Sequence, residues 1–117
     1  MSQDVLDLVQ RYIGLWNETD DIRRRELAGE LFTGDGDYID PNVAATGPED
    51  ITVYIGQERK KFGDLVFSLG ELIGSHHGTA LFSWKLGPAG VDAPVARGYD
   101  AVLIEDGRLR QVHGFFA

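Results

Sequence analysis

At 117 residues with a formal charge of −8, the chain has room for one hydrophobic core. Its charge has the wrong sign for nucleic acid or an anionic membrane, both of which attract lysine and arginine. The absence of cysteine excludes disulfides, thiolate metal sites and cysteine nucleophiles together. No apolar run approaches the roughly 20 residues that span a bilayer. The N-terminal Met1-Ser2-Gln3-Asp4-Val5 lacks the basic and apolar segments of a secretory signal. The expectation is one domain over residues 1–117 in the cytoplasm. Two basic clusters, Arg23-Arg24-Arg25 and Arg59-Lys60-Lys61, fall on predicted helices and read as solvated faces. Steering of a phosphate-bearing substrate is the other reading of them.

The first predicted helix is the clearest element. Val5, Leu8, Val9, Tyr12, Ile13 and Trp16 recur at the spacing of one helical face. Ser2 is the expected cap, and Asp4 favours the first turn. Asn17-Glu18-Thr19-Asp20 breaks the pattern. A second helix over 21–32 is expected to bury Ile22, Leu27, Ala28 and Leu31. Thr33-Gly34-Asp35-Gly36-Asp37 reads as a turn; Ile39 stands where a calcium loop needs an oxygen ligand, and no closing glutamate follows. A short strand, Tyr38-Ile39-Asp40, ends at Pro41.

A third helix opens at Gly47-Pro48 with Glu49 and Asp50 in its first turn, and Gly63 closes it. Ile51, Tyr54, Ile55, Glu58 and Phe62 share one of its faces. Strands are then predicted over 65–73, 76–86, 95–105 and 109–116, with Asp106-Gly107 a strong hairpin signal. Helices gathered on one face of such a meander make an α+β domain. In Tyr99-Asp100-Ala101-Val102-Leu103-Ile104 and in Gly114-Phe115-Phe116, apolar residues occupy both alternating faces, which a half-solvated sheet would not show. The helices cover one face, so a second copy of the chain is expected on the outer one, as a homodimer.

Three polar residues interrupt otherwise apolar patterns: Tyr12 on the first helix, Asp40 at a strand end and Asp100 in mid-strand. An ionised carboxylate is costly to bury unless paired or hydrogen-bonded. One solution is to keep one acid protonated, as a hydrogen-bond donor. In the plainer reading Asp40 caps a turn, Asp100 pairs with an arginine such as Arg97, and Tyr12 is core packing with a satisfied hydroxyl.

The run Val9-Gln10-Arg11-Tyr12, then Asp40-Pro41, then Tyr99-Asp100 in the penultimate strand, resembles the ketosteroid isomerases. These belong to the NTF2-like superfamily, which includes the SnoaL-like polyketide cyclases. The ending Asp106-Gly107-Arg108-Leu109 with Gly114-Phe115-Phe116, and Trp84 in the middle strand, are similar to SnoaL-like members. The resemblance implies an NTF2-like cone (a cystatin-like fold): three N-terminal helices on a strongly curved antiparallel or mixed sheet, with a pocket at the wide end. It implies Asp40 as general base, with Tyr12 and a protonated Asp100 donating hydrogen bonds to an enolate oxygen. The ketosteroid isomerases are themselves the known example of an acid kept neutral in this way. In a SnoaL-like cyclase, Asp100 would instead be the acid and base of an aldol ring closure.

Trp16, Tyr54, Phe82 and Trp84, with Val102 and Phe116 on adjoining strands, are the expected ligand walls. They suit a small apolar or aromatic ring system. His76 is a candidate at the pocket mouth, and His113 has the parity of the outer face. His76 and His77, adjacent on a strand, would point to opposite faces, so no metal site and no cofactor are expected. No Gly-x-Ser-x-Gly elbow occurs, which disfavours a serine hydrolase. Arg97 stands three residues before Asp100, and the last strand offers His113 rather than a carboxylate. Both depart from the limonene-epoxide hydrolase pattern. The expected function is an isomerase or cyclase moving a proton next to a carbonyl. The alternative is a non-catalytic ligand-binding or dimerisation module of the same fold.

Overall fold

A computed structural model describes residues 2–117, with side chains from Asp4 onward; the expected Ser2 cap lies outside the described residues' side chains. Helix α1, Ser2–Asn17, buries Leu8, Val9, Tyr12, Ile13 and Trp16 as its periodicity predicts, and Leu15 as well. Helix α2, Asp21–Leu31, is capped by Asp20, whose carboxylate accepts from Arg23 N at 2.7 Å. Its predicted core is partly wrong. Ile22 is 69% exposed, and Arg24 is buried in its place beside Ala28 and Leu31.

Arg24 is buried because its polar end is satisfied locally. Its Nε donates to Glu18 O at 3.0 Å and its Nη1 to Asp21 Oδ1 at 2.6 Å. The guanidinium rests against Gly56 of the next helix, where a Cβ would lie 2.9 Å from Arg24 Nη1. Neither basic cluster is therefore one solvated face: each contains a buried arginine, Arg24 and Arg59.

Strand β1, Phe32–Asp40, runs through the predicted 33–37 turn. Its glycines serve a bulge rather than a reversal. The register against strand β6, Arg108–Phe116, shifts between Phe32 and Asp37, and a Cβ at Gly36 would lie 3.0 Å from Phe32 Cδ1 and 3.1 Å from Leu109 O. A two-residue turn at Pro41-Asn42 leads into strand β2, Val43–Thr46, an element too short for its periodicity to register. Helix α3, Pro48–Phe62, starts on proline and ends at Gly63 with φ 61°.

Strands β3 (Leu65–His76), β4 (Thr79–Pro88) and β5 (Ala96–Glu105) complete a six-stranded sheet in the order β2-β1-β6-β5-β4-β3. The β1–β6 pair is parallel and the others are antiparallel. The β3–β4 hairpin turns at His77 and Gly78, φ 48° and 76°, and the β5–β6 hairpin at Asp106 and Gly107, φ 52° and 76°. Positive φ at both central positions matches the right-handed twist of the strands. Further register shifts within β3 and between β5 and β6 bend the sheet around the helices. The result is the expected α+β architecture. No helix among the described residues is long and apolar enough to cross a membrane.

Arg59 holds the wide end together. It is 6% exposed and has no carboxylate partner among the described residues. It donates to Trp16 O at the end of α1 (3.0 Å), to Gly63 O past the end of α3 (3.1 Å), and to Leu65 O at the start of β3. These carbonyls lack helical partners, so one fork of donors ties three elements. Arg59→Met is expected to cost about 3 kcal/mol of stability. A urea unfolding midpoint like that of the parent protein would remove this role.

Candidate active site

The site begins with strand register. Asp100 on β5 pairs with Gly114 on β6, and on the other side of β6 the Ile39–His113 pair brings Asp40 beside the same glycine. Asp40, Gly114 and Asp100 therefore form a row across three neighbouring strands, side chains on the concave face. A Cβ on Gly114 would lie 3.1 Å from Asp100 Oδ1, 3.4 Å from Asp40 Cβ and 3.4 Å from Tyr38 Oη. The missing side chain is what lets two carboxyl groups and a phenol share this space.

Asp40 is 8% exposed. Its Oδ2 accepts from Tyr38 Oη at 2.7 Å and Tyr54 Oη at 3.0 Å, and its Oδ1 from Asn42 N at 2.8 Å. It thus caps the Pro41-Asn42 turn and faces the cavity at once. Burial raises the pKa of both phenols, so they remain protonated donors.

Asp100 is 5% exposed and accepts one bond, from Trp84 Nε1 to Oδ1 at 3.2 Å. Arg97 is exposed and makes no ion pair with it, so the arginine-paired reading is set aside. Burial pushes the acid up, the Trp84 N–H acts against the rise, and the nearby Asp40 adds to it; the net value is about 7. Tyr12 is fully buried, with its pKa well above the ordinary value through burial first and Asp100 second. Its hydroxyl accepts from Trp16 Nε1 at 2.9 Å, and no described group accepts the hydroxyl's own proton.

These residues converge on one cavity of about 400 Å³ between α1, α3 and the concave sheet. Of the predicted residues, Tyr12, Asp40, Asp100, Trp16, Tyr54, Trp84 and Phe116 line it. Trp16 packs against Tyr38, Tyr54 and Phe67, and Trp84 against Phe67 and Phe116. Glu58 stands at the rim, paired with Lys61 at 2.9 Å.

Three predicted wall residues lie elsewhere. Phe82 has the right strand face but sits directly beneath Tyr12, ring centroids 6.3 Å apart, as buried core. Val102 is one step further toward the narrow end, packed in the Ala80–Val102–Val112 row. His76 ends β3 on the outer side, beside a shallow hollow shared with Leu81 and His113. His77 leaves the strand at φ 48°, so the two Nδ1 atoms lie 3.0 Å apart instead of on opposite faces. Among the described residues, no group of three His, Cys, Asp or Glu side chains is placed to hold a metal ion.

The structure adds Tyr38, Asn42, Phe67 and Gly114 to the site. Tyr38 was legible: two residues from Asp40, it shares that strand face. Asn42 contributes its backbone N–H to Asp40 and a side-chain hydrogen bond to Tyr54, and Gly114 contributes an absence, neither of which a turn asparagine or a strand glycine announces in sequence.

A helix-roofed curved sheet whose wide end holds two acids and three phenols within aromatic walls defines an α+β cone of the NTF2-like, cystatin-like fold class. The SnoaL-like domain profile matches residues 9–112, and the chain belongs to that family. It is similar over its full length to an Agrobacterium tumefaciens protein described as a proposed isomerase of the SnoaL-like family. The identity there is 35%, with 99% of that chain covered and a TM-score of 0.90. A proposed polyketide cyclase from Sinorhizobium meliloti (21% identity, 97% of this chain and 98% of that one, TM-score 0.72) shares the fold. So does a proposed ketosteroid isomerase from Kribbella flavida (19% identity, 98% and 78%, TM-score 0.69). No curated protein sequence matches the chain.

The raised Asp100 pKa has a consequence for stability. Folding favours its protonated form, so the stabilisation is complete below about 3.8, where the unfolded chain titrates, and is lost as pH rises to about 7. Asp100→Asn keeps the neutral shape at every pH. Its stability advantage over the parent should widen between about pH 4 and pH 7 and level off above, reaching a ceiling of about 4 kcal/mol. Thermal unfolding across that range with no change in the gap would contradict the assignment.

Proposed function

We propose that this protein is an enzyme that moves a proton next to the carbonyl of an apolar ring substrate of steroid or polyketide type. One observation carries the reading. Tyr12 and the neutral form of Asp100 carry protons that no described group accepts, and Asp100 stands across Gly114 from Asp40. Abstraction of a proton beside a carbonyl builds charge on the carbonyl oxygen, and preorganised donors in a dry cavity stabilise that charge. In this scheme Asp40 takes the proton, Tyr12 and Asp100 hold the oxygen, and Asp40 returns the proton to a different carbon, giving the conjugated isomer. In the cyclase variant Asp100 takes the proton beside one carbonyl, the enolate carbon bonds to a second carbonyl carbon, and Asp100 returns the proton to the alkoxide so formed. The cavity volume of about 400 Å³ and its aromatic walls support a flat, mostly apolar ligand.

With a β,γ-unsaturated ring ketone as substrate, conjugation is followed by ultraviolet absorbance. Asp40→Asn is expected to lower kcat by about 10³-fold while a naphthol, a planar mimic of the enolate, still binds. The rate should fall as pH rises above about 7, where Asp100 ionises. Naphthol binding without consumption of any enone, and unchanged by Asp40→Asn, would make the protein a binding module instead.

We also propose that the protein is a homodimer through the outer sheet face. Leu81, Tyr99, Leu103 and Phe115 are exposed there on three adjacent strands, and contiguous exposed apolar side chains of this kind favour association. The parent protein should sediment as a dimer, and Leu81→Glu with Leu103→Glu as a monomer. A monomeric parent would overturn this.

A further inference from the structure

Trp84 is placed differently from the other aromatic walls. Its register partners are Gly98 on β5 and, beyond it, Phe116 on β6. A Cβ at Gly98 would overlap Trp84 Cζ2 and Cε2, so the indole packs directly against bare backbone. No residue other than glycine leaves that seat open. Phe67 and Phe116 meet the indole at steep angles, with centroids at 5.5 and 6.1 Å, which fixes the ring plane. Held this way, Nε1 reaches Asp100 Oδ1 at 3.2 Å, the one hydrogen bond of that buried acid among the described residues. Two residues apart on β5, Gly98 and Asp100 share the concave face, so the seat of the indole and the acid it reaches are built by the same strand.

We propose that Trp84, seated on Gly98, is a positioning residue that orients the Asp100 carboxyl, making Oδ1 the acceptor and leaving Oδ2 to carry the proton offered to the ligand. The assignment deepens the proposed function, and its kinetic consequence rests on that reading. A carboxylic acid can turn over and present either face; an N–H donor aimed at one oxygen decides which one bears the proton. The other groups that face Asp100 do not make this choice. Asp40 on β1 is an acceptor occupied by Tyr38, Tyr54 and Asn42 N, and the Tyr12 hydroxyl on α1 accepts from Trp16 and donates to neither oxygen of Asp100. Glu58 on α3 is drawn to Lys61 at the rim. The indole N–H also favours the ionised form, so its loss raises the Asp100 pKa further.

The test is made on the ligand-free protein. Trp16 and Trp84 are the two tryptophans, so ¹H–¹⁵N spectra contain two indole signals, assigned with Trp16→Phe. The Trp84 signal should titrate with a midpoint near 7, and Asp100→Asn should abolish that titration. Trp84→Phe keeps the aromatic wall and removes the N–H; the Asp100 carboxyl ¹³C midpoint should then move up by about one pH unit. Gly98→Ala, which unseats the indole, should move it in the same direction. An indole signal that does not titrate, or a carboxyl midpoint unmoved in Trp84→Phe, overturns the assignment, and either result is decisive even if Gly98→Ala fails to fold. With the β,γ-unsaturated ketone, the alkaline limb of kcat should shift upward in Trp84→Phe alongside the carboxyl midpoint. Absence of turnover in the parent protein would refute the proposed reaction and leave the titrations to decide the positioning role.

Discussion

Two carboxyl groups on either side of one glycine, in a cavity walled by aromatic rings, cannot both be ionised at low cost. Burial first and the neighbouring Asp40 after it penalise the charge on Asp100. The site resolves this by unequal treatment. Asp40 receives three donors, two of them phenols that burial keeps protonated. Asp100 receives one and has its pKa lifted to about 7. In the proposed reaction the same inequality supplies both halves of an acid–base pair, an acceptor on one side of Gly114 and a proton donor on the other. No step of the proposed chemistry needs a group beyond these side chains.

The rest of the architecture preserves that inequality. Gly114 and Gly98 are small where the site needs space, the first between the two acids and the second beneath the Trp84 indole. The bulges in β1 and β3 curve the sheet far enough for α1 to lie over it, bringing Tyr12 and Trp16 down as a roof. Arg59 ties the end of α1 to α3 and β3, holding that roof at the height where Tyr12 meets the acids. Stability and site are coupled here: the residues that lock the wide end of the cone also set the depth of the cavity.

Much of this was legible in the chain. The helical stripe of α1, the proline start and glycine stop of α3, and the Asp106-Gly107 hairpin follow from local rules and stand in the structure. Tyr12, Asp40 and Asp100 stood out because a polar group in an apolar pattern demands a partner. What could not be read depended on register or on close approach. Gly34 and Gly36 are equally suited to a turn and to a bulged strand, and only the packing of Phe32 against Leu109 decides between them. Arg24 and Arg59 looked solvated because charge density alone does not reveal the carbonyls that satisfy them. Phe82 and Trp84 share one strand face, yet one lies under α1 and the other in the open cavity, a difference set by where the helix ends.

Membership of the SnoaL-like family brings a fold that supports several chemistries, so activity has to be argued from the site. The proposed chemistry requires one protonated carboxyl group beside one carboxylate in the unliganded protein. Infrared difference spectra of the carboxylic-acid C=O stretch at pH 6, below the Asp100 midpoint of about 7, measure this directly. A buried-acid band that persists in Asp40→Asn and disappears in Asp100→Asn is the predicted result. A band lost in Asp40→Asn but kept in Asp100→Asn, or no such band in the parent protein, would contradict the division of roles on which the mechanism stands.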